Sequence, residues 1–318
     1  MLNIVRFERS NVPAWGVYSD TKVFQLEIEC SSTKALLQLG RDKIKALAQE
    51  AVNGKAVTDV ELLSPITKDA KVLCLGANYR QHMIDSGINP EEKEYNIFFT
   101  KSAASITTPA GVIIKPKHVE LLDYEIELTL VMGATTHEPQ QVNNDNISQY
   151  VAGICIGNDI SARDIQMTQM QWHKGKSYRT FCPLGPYLVL LEPDEFHYLD
   201  NLDLKLSVNG EVRQQDNTRN LVFKPAQTLT EYSQLVDFEP GDILMTGTPS
   251  GCAMGLPSPF KVRLAGLLPE NKKWQLFKSM QKKRPGYLQP GDELEVSIKS
   301  PDGVLDLGVQ NHVIRQEA

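Results

Sequence analysis

The sequence predicts a β-rich α+β protein, and three observations carry that prediction. Short apolar runs recur along most of the chain, many alternating with polar residues as strands do. Turn-forming groups separate them: Asn209-Gly210 between two strand-like runs, Pro240-Gly241-Asp242, Pro290-Gly291-Asp292 and Asp302-Gly303. Helical patterning is confined to a few stretches, and no repeat of solenoid length is visible.

Taken in order, residues 1–66 read as a small N-terminal α+β unit. Strand-like pieces at 3–7 and 15–18 precede one helical stretch over 33–52, closed by Asn53-Gly54 as a C-cap. A polar connection through Ser64-Pro65 leads to an apolar strand at 71–75, and the boundary to a second domain, residues 67–318, is placed there. Residues 252–286, Pro-rich and then basic and helical over 271–283, read as an insertion between two strands.

Composition narrows the function classes. A chain of 318 residues buries a substantial core without staples, and 41% hydrophobic with 23% charged residues is ordinary for a globular protein. A net charge of −6, with no basic stripe, argues against nucleic acid as a partner. Five scattered cysteines without a C-x-x-C suggest reduced thiols and a cytoplasmic protein. No signal peptide or membrane-spanning run is expected.

The most informative motif is Asp-Tyr-Glu-Ile-Glu-Leu-Thr-Leu-Val-Met, which places Glu125 and Glu127 on one face of a strand. Carboxylates at i and i+2 lie roughly 6–7 Å apart along a strand. A face turned to water needs nothing more, and taken alone the motif reads that way. A buried face needs a cation between the two charges. About thirty residues on, Val-Ala-Gly-Ile-Cys-Ile-Gly-Asn-Asp-Ile-Ser-Ala-Arg-Asp brings Asp159 to the end of a buried strand. Ser161-Ala-Arg-Asp164 resembles a capping box, which leaves Asp159 free of capping duty. Three carboxylates without Cys or His describe an all-oxygen site suited to Mg²⁺, Mn²⁺ or Ca²⁺ and not to Zn²⁺.

Other residues join this group. Lys176 follows closely in a Gly-flanked loop, either as a structural ion pair or as fixed positive charge beside a developing oxyanion. Thr246-Gly-Thr248-Pro-Ser-Gly251 is either a plain turn or a loop whose N–H groups hold a substrate carboxylate. His82, in Asn-Tyr-Arg-Gln-His after a strand, is structural if alone, but a candidate general base if Asp85 shares its helix face. Arg163 reads as a brace through an ion pair, and Tyr79 and Arg80 as either substrate contacts or loop packing.

Gly-Ala-Asn-Tyr-Arg-Gln-His, Asp-Tyr-Glu-Ile-Glu-Leu, Gly-Asn-Asp-Ile-Ser-Ala-Arg-Asp-Ile-Gln, Gly-Lys-Ser and Thr-Gly-Thr-Pro-Ser-Gly occur in that order. In this the chain resembles the fumarylacetoacetate hydrolase family, over about residues 70–250 and again 287–315. The resemblance implies a mixed β-roll behind a small variable N-terminal domain, and a homodimer. It implies that Glu125, Glu127 and Asp159 bind Mg²⁺, with Mn²⁺ or Ca²⁺ as alternatives. It implies that Lys176 faces the substrate, that Gln166 and Thr248 contact it, and that His82 activates water from a lid. Many family members carry glutamate three residues after that histidine; Asp85 is one methylene shorter.

The expected chemistry is hydrolysis of a carbon–carbon bond in a 2,4-dioxo acid of the acylpyruvate, fumarylpyruvate or fumarylacetoacetate type. The metal and Lys176 would stabilise the enolate, while His82, oriented by Asp85, would deprotonate water. The alternatives are a 2-oxo acid decarboxylase, hydratase or isomerase, all built on the same stabilised enolate, and more remotely a binding protein without turnover.

Overall fold

A computed structural model describes residues 1–255, 266 and 268–318. The ten-residue and single-residue gaps fall inside the expected insertion, so that part of the sequence reading lies outside the described residues. Two open sheets organise the rest, with short helices on their margins, which is the strand-rich α+β class expected.

The larger sheet has eleven strands. Its order runs Lys55–Ala56, Lys22–Gln25, Val12–Ser19, Leu2–Arg9, Leu188–Leu190, Val151–Asn158, Ile126–Met132, Ile243–Met245, Val72–Gly76, Ile97–Lys101, with Glu61–Leu63 paired to Leu2–Arg9 beside this path. Residues 1–66 thus share a sheet with the remainder, because Leu2–Arg9 pairs antiparallel with Leu188–Leu190. The smaller sheet orders Glu211–Asn217, Asp203–Val208, Glu293–Lys299, Asp306–Gln316, Ala110–Lys115. Its first hairpin turns on Asn209 and Gly210, at φ 52° and 79°, the left-handed pair that a two-residue turn requires.

Ile126, Leu128 and Leu130 on the larger sheet and Leu204, Leu206, Val296 and Ile298 on the smaller one bury into a common core. Val131 belongs to a second apolar cluster with Leu36 and Ile44 from the N-terminal helices. Every residue of Ile126–Met132 is buried, so the face carrying Glu127 is inside the protein and not turned to water.

Several local expectations are corrected. The helical stretch over 33–52 is two helices, Thr33–Leu37 and Arg41–Glu50, broken at Gly40, whose φ of 82° glycine adopts freely and other residues do not. Ser161 caps no helix. It sits in the short strand Ser161–Ala162, and its hydroxyl donates to the Asp159 carbonyl at 2.9 Å. The following helix, Arg163–Thr168, has Ala162 at its N-cap, and the Asp164 carboxylate accepts from the Glu120 and Leu121 amides. Lys176 ends a short helix, Trp172–Lys176, and does not lie in a loop.

His312 generates a prediction. It is buried on Asp306–Gln316, neither ring nitrogen is hydrogen-bonded among the described residues, and burial lowers its pKa to about 4. Above pH 6.5 the ring is neutral folded or unfolded. As pH falls from about 6.5 to 4 only the unfolded chain takes the proton, so stability drops, by about 3 kcal/mol in full. Urea midpoints of the His312→Phe variant should lose less between pH 7 and pH 4.5 than those of the wild type.

Candidate metal centre and active site

Register sets the site. Ile126 pairs with Asn158 and Glu127 with Gly157, so Glu125 and Asp159 sit together just beyond the paired ends of two central strands. The Asp159 amide donates to the Glu125 carbonyl at 2.8 Å, and the Asn158 side chain accepts from the Glu125 amide at 3.0 Å. One oxygen from each of Glu125, Glu127 and Asp159 lies within 4.8 Å of the other two, and all three residues are buried.

Each of these carboxylates has one oxygen fixed by a donor from a different element. Arg163 holds Glu125 Oε1, Lys101 holds Asp159 Oδ1, and the Gly247 amide donates to Glu127 Oε2 at 2.7 Å. Such outer partners orient ligand oxygens before a metal arrives. Gly247 has φ 94°, and a Cβ there would lie 2.9 Å from that of Asn78, so the turn that aims this amide suits glycine.

Lys176 reaches the inner oxygens of two members. Its ammonium donates to Glu125 Oε2 at 2.7 Å, to Asp159 Oδ2 at 2.5 Å and accompanies Ser161 Oγ at 3.0 Å. It also lies 5.0 Å from the centre of the Phe99 ring. Gly175 makes this approach possible: a Cβ there would come within 2.8 Å of Gln166. Burial disfavours the charged lysine, but Asp159 and Glu125 outweigh it and raise its pKa. Burial likewise opposes ionisation of Glu125, yet Arg163 and Lys176 hold its carboxyl below the usual range.

Glu127 differs. Four buried carboxylates, counting Asp123, face three buried cations, Lys101, Arg163 and Lys176, which leaves one negative charge over. Among the described residues, Glu127 Oε1 is the acceptor of this cluster with no partner. Burial first, then the neighbouring Asp159 and Glu125, raise its pKa well above the ordinary value. A divalent cation at the inner oxygens would supply both the missing partner and the missing charge, and an all-oxygen donor set suits a hard ion. The residues fit the group.

The other expected site residues divide. Gln166 is buried and accepts from Arg163 at 3.0 Å, and Thr248 is buried next to Gly247. His82 lies half-buried on Arg80–Asp85, its pKa lowered mainly by burial, with Glu125 pulling the other way. Asp85 does not hydrogen-bond it. The aspartate takes Gln81 Nε2 at 2.8 Å and the Ser250 hydroxyl instead, both within reach of its short side chain. Tyr79 is buried with an unpartnered hydroxyl, and Arg80 is an exposed residue paired to Glu91.

Sequence reasoning missed Lys101, the last residue of the strand Ile97–Lys101, and Asp123, which holds Arg163 Nε at 2.8 Å and accepts from the Ala253 amide at 2.8 Å. A lysine closing Ile-Phe-Phe-Thr-Lys and an aspartate two residues before Glu125 were the available signals. Arg163 does brace the site, on Asp123 and Glu125 together.

A family model, Fumarylacetoacetate (FAA) hydrolase C-terminal, matches residues 71–314. The chain belongs to the fumarylacetoacetate hydrolase family. Among curated relatives, oxaloacetate tautomerase Fahd2a, mitochondrial, of Rattus norvegicus is 38% identical over 198 residues, 62% of this chain and 61% of that protein. The match therefore spans about three fifths of that relative's length. Among solved structures, fumarylacetoacetate hydrolase from psychrophilic Exiguobacterium antarcticum superposes with a TM-score of 0.76 at 27% identity, over all of both chains. Maleylpyruvate hydrolase from Sphingobium sp. SYK-6, solved with manganese(II) and pyruvate, shares the fold, with a TM-score of 0.72 at 21% identity over 99% of this chain and all of that one. The family comprises enzymes of several reaction types, and among the described residues no helix is long and apolar enough to cross a membrane.

Two substitutions at this centre should act in opposite directions on the metal-free protein. Glu127→Gln removes the surplus charge and leaves melting temperature unchanged or higher, while Mn²⁺ affinity by calorimetry falls at least about tenfold. Asp159→Asn strips two buried lysines of a partner and costs about 3–5 kcal/mol. Equal melting temperatures for the two variants would contradict this charge arrangement.

Proposed function

We propose that Glu125, Glu127 and Asp159 hold a divalent cation, Mg²⁺ before Mn²⁺ or Ca²⁺, and that the enzyme interconverts the keto and enol forms of a small 2-oxo acid. The observation that carries this is the unpartnered, buried Glu127 oxygen inside a three-carboxylate cluster flanked by Lys176. When bound, the cation would draw charge from the 2-oxo group and acidify the adjacent C–H. Lys176 Nζ holds positive charge beside the same oxygen. Gln166 and Thr248 orient the acid, and Tyr79, buried in the core, anchors the start of the helix that carries His82 and the exposed Arg80. The imidazole, which burial favours in its neutral form, takes a proton from the carbon next to the carbonyl and the 2-oxo oxygen gains one to give the enol; ketonisation runs the same transfers backwards.

Keto–enol interconversion is preferred to hydrolysis because of Asp85. A hydrolytic histidine needs a carboxylate to fix its tautomer, and Asp85 is engaged by Ser250 and Gln81. The tautomerase names of the curated relatives support the same choice. Hydrolysis of a carbon–carbon bond in a 2,4-dioxo acid is the second reading. It requires Asp85 to leave Ser250 and pair with His82, and the hydrolase names of two structural neighbours favour it. Five free cysteines suit a reducing compartment, such as the cytoplasm, and the relative is named as mitochondrial. A homodimer is part of the same proposal.

Ultraviolet decay of enol absorbance tests this on oxaloacetate, acetylpyruvate and fumarylpyruvate. Oxaloacetate should relax faster in Mg²⁺ without forming pyruvate, chelator should abolish the effect, and His82→Ala should slow it about a hundredfold or more. Pyruvate released from the diketo acids would move the assignment to the hydrolase. Relaxation indifferent to chelator would sink both readings.

A further inference from the structure

Gln214 lies on Glu211–Asn217 with none of its surface exposed. Its carbonyl oxygen accepts from the Ile126 amide at 3.0 Å, the peptide group between Glu125 and Glu127. Its amide nitrogen donates to Thr248 Oγ1 at 2.8 Å and to the Pro249 carbonyl at 2.9 Å, and lies 3.6 Å from Cys252 Sγ. These partners settle which end is which. A backbone N–H only donates and a backbone carbonyl only accepts, so the oxygen must face Ile126 and the nitrogen Pro249.

The consequence falls on Thr248. A hydroxyl that accepts from an amide nitrogen keeps its own proton for another acceptor. Thr248 is buried, and among the described residues its hydroxyl makes no hydrogen bond besides the one from Gln214. The amide just before it, Gly247 N–H, donates to Glu127, so the residue bearing this spare donor directly follows the loop's contact with the carboxylate cluster.

We infer that Gln214 is a positioning residue that fixes the Thr248 hydroxyl as a donor toward an anionic oxygen of the bound 2-oxo acid. One buried amide thereby locks the binding loop 246–252 to the strand that carries the carboxylates, and sets the loop's polarity. The inference rests on the 2-oxo acid reading above, and adds the group that makes the loop select an acceptor oxygen over a donor.

Oxalate, a planar dianion shaped like the enolate of a 2-oxo acid, serves as a probe that needs no turnover. Its binding is measured calorimetrically with Mn²⁺ present, and Mn²⁺ binding is measured separately. Thr248→Val removes the donor. Gln214→Glu keeps an oxygen for Ile126 but offers Thr248 an acceptor, which turns the hydroxyl proton away from the ligand. Each should weaken oxalate about tenfold, the scale of one lost hydrogen bond to a charged group, with Mn²⁺ affinity within about twofold of wild type. Thr248→Ser should bind oxalate as wild type does. The double variant should bind it no more weakly than Thr248→Val alone.

Wild-type oxalate affinity in Gln214→Glu overturns the inference, as does a double variant in which the two losses multiply, since a merely structural brace would behave so. If Gln214→Glu does not fold, equal affinities for Thr248→Val and Thr248→Ser overturn it on their own. A wild type that takes up Mn²⁺ but no oxalate overturns it too. Failure of the tautomerase reading shows elsewhere, as oxalate binding without turnover of any 2-oxo acid, and leaves the variant comparison intact.

Discussion

Charge that cannot reach water must be answered from within the protein, and at this site four carboxylates have been withdrawn from water together. Asp123, Glu125, Glu127 and Asp159 are all buried. The cations that answer three of them come from three separate elements: Lys101 from the end of a strand, Arg163 from the start of one helix and Lys176 from the end of another. None of these placements is free to drift, because displacing any cation would leave a buried charge uncompensated. The remainder is concentrated on Glu127, and that imbalance is one that a bound cation could answer and the three buried cations of the protein do not.

The loop 246–252 is held to its surroundings through uncharged groups of its own. Gly247 reaches Glu127, Gln214 spans from Ile126 to Thr248, and Ser250 holds Asp85. A segment bearing the candidate base and a loop bearing the candidate substrate contacts are thus connected by one hydroxyl–carboxylate bond. With glutamate in place of Asp85 the side chain would be one methylene longer, so this single shortening bears on which partner the carboxylate meets.

Much of this was legible in the sequence because it depends on local pattern. Period-2 alternation placed Glu127 on a strand face, although the strand begins at Ile126 and leaves Glu125 just before it, and Asn209-Gly210 announced its hairpin. Arg163 was identified as a brace. What pattern could not give was which face is buried, since Glu127 looks the same in sequence whether it faces solvent or core. Lys101 and Gln214 escaped for a related reason: their partners lie 58 and 34 or more residues away, and only the folded sheet brings them near. The capping-box reading of Ser161 failed because a tertiary partner, Lys176, and the Asp159 carbonyl claim its hydroxyl. The aspartate at position 85 was flagged as short, but not that a serine far along the chain would take it.

The strand Leu2–Arg9 joins the rest of the large sheet by pairing with Leu188–Leu190, and the strand Ile243–Met245 slots between Ile126–Met132, to which it runs antiparallel, and Val72–Gly76, to which it runs parallel. During synthesis the first of these strands waits for nearly the whole central region to emerge, and the two central strands stay unjoined until later still. Contacts of such long range make for slow folding and leave unpaired strand edges open in the meantime. The local hairpins of this sheet can therefore form as the chain emerges, while the joins that unite them wait for its second half.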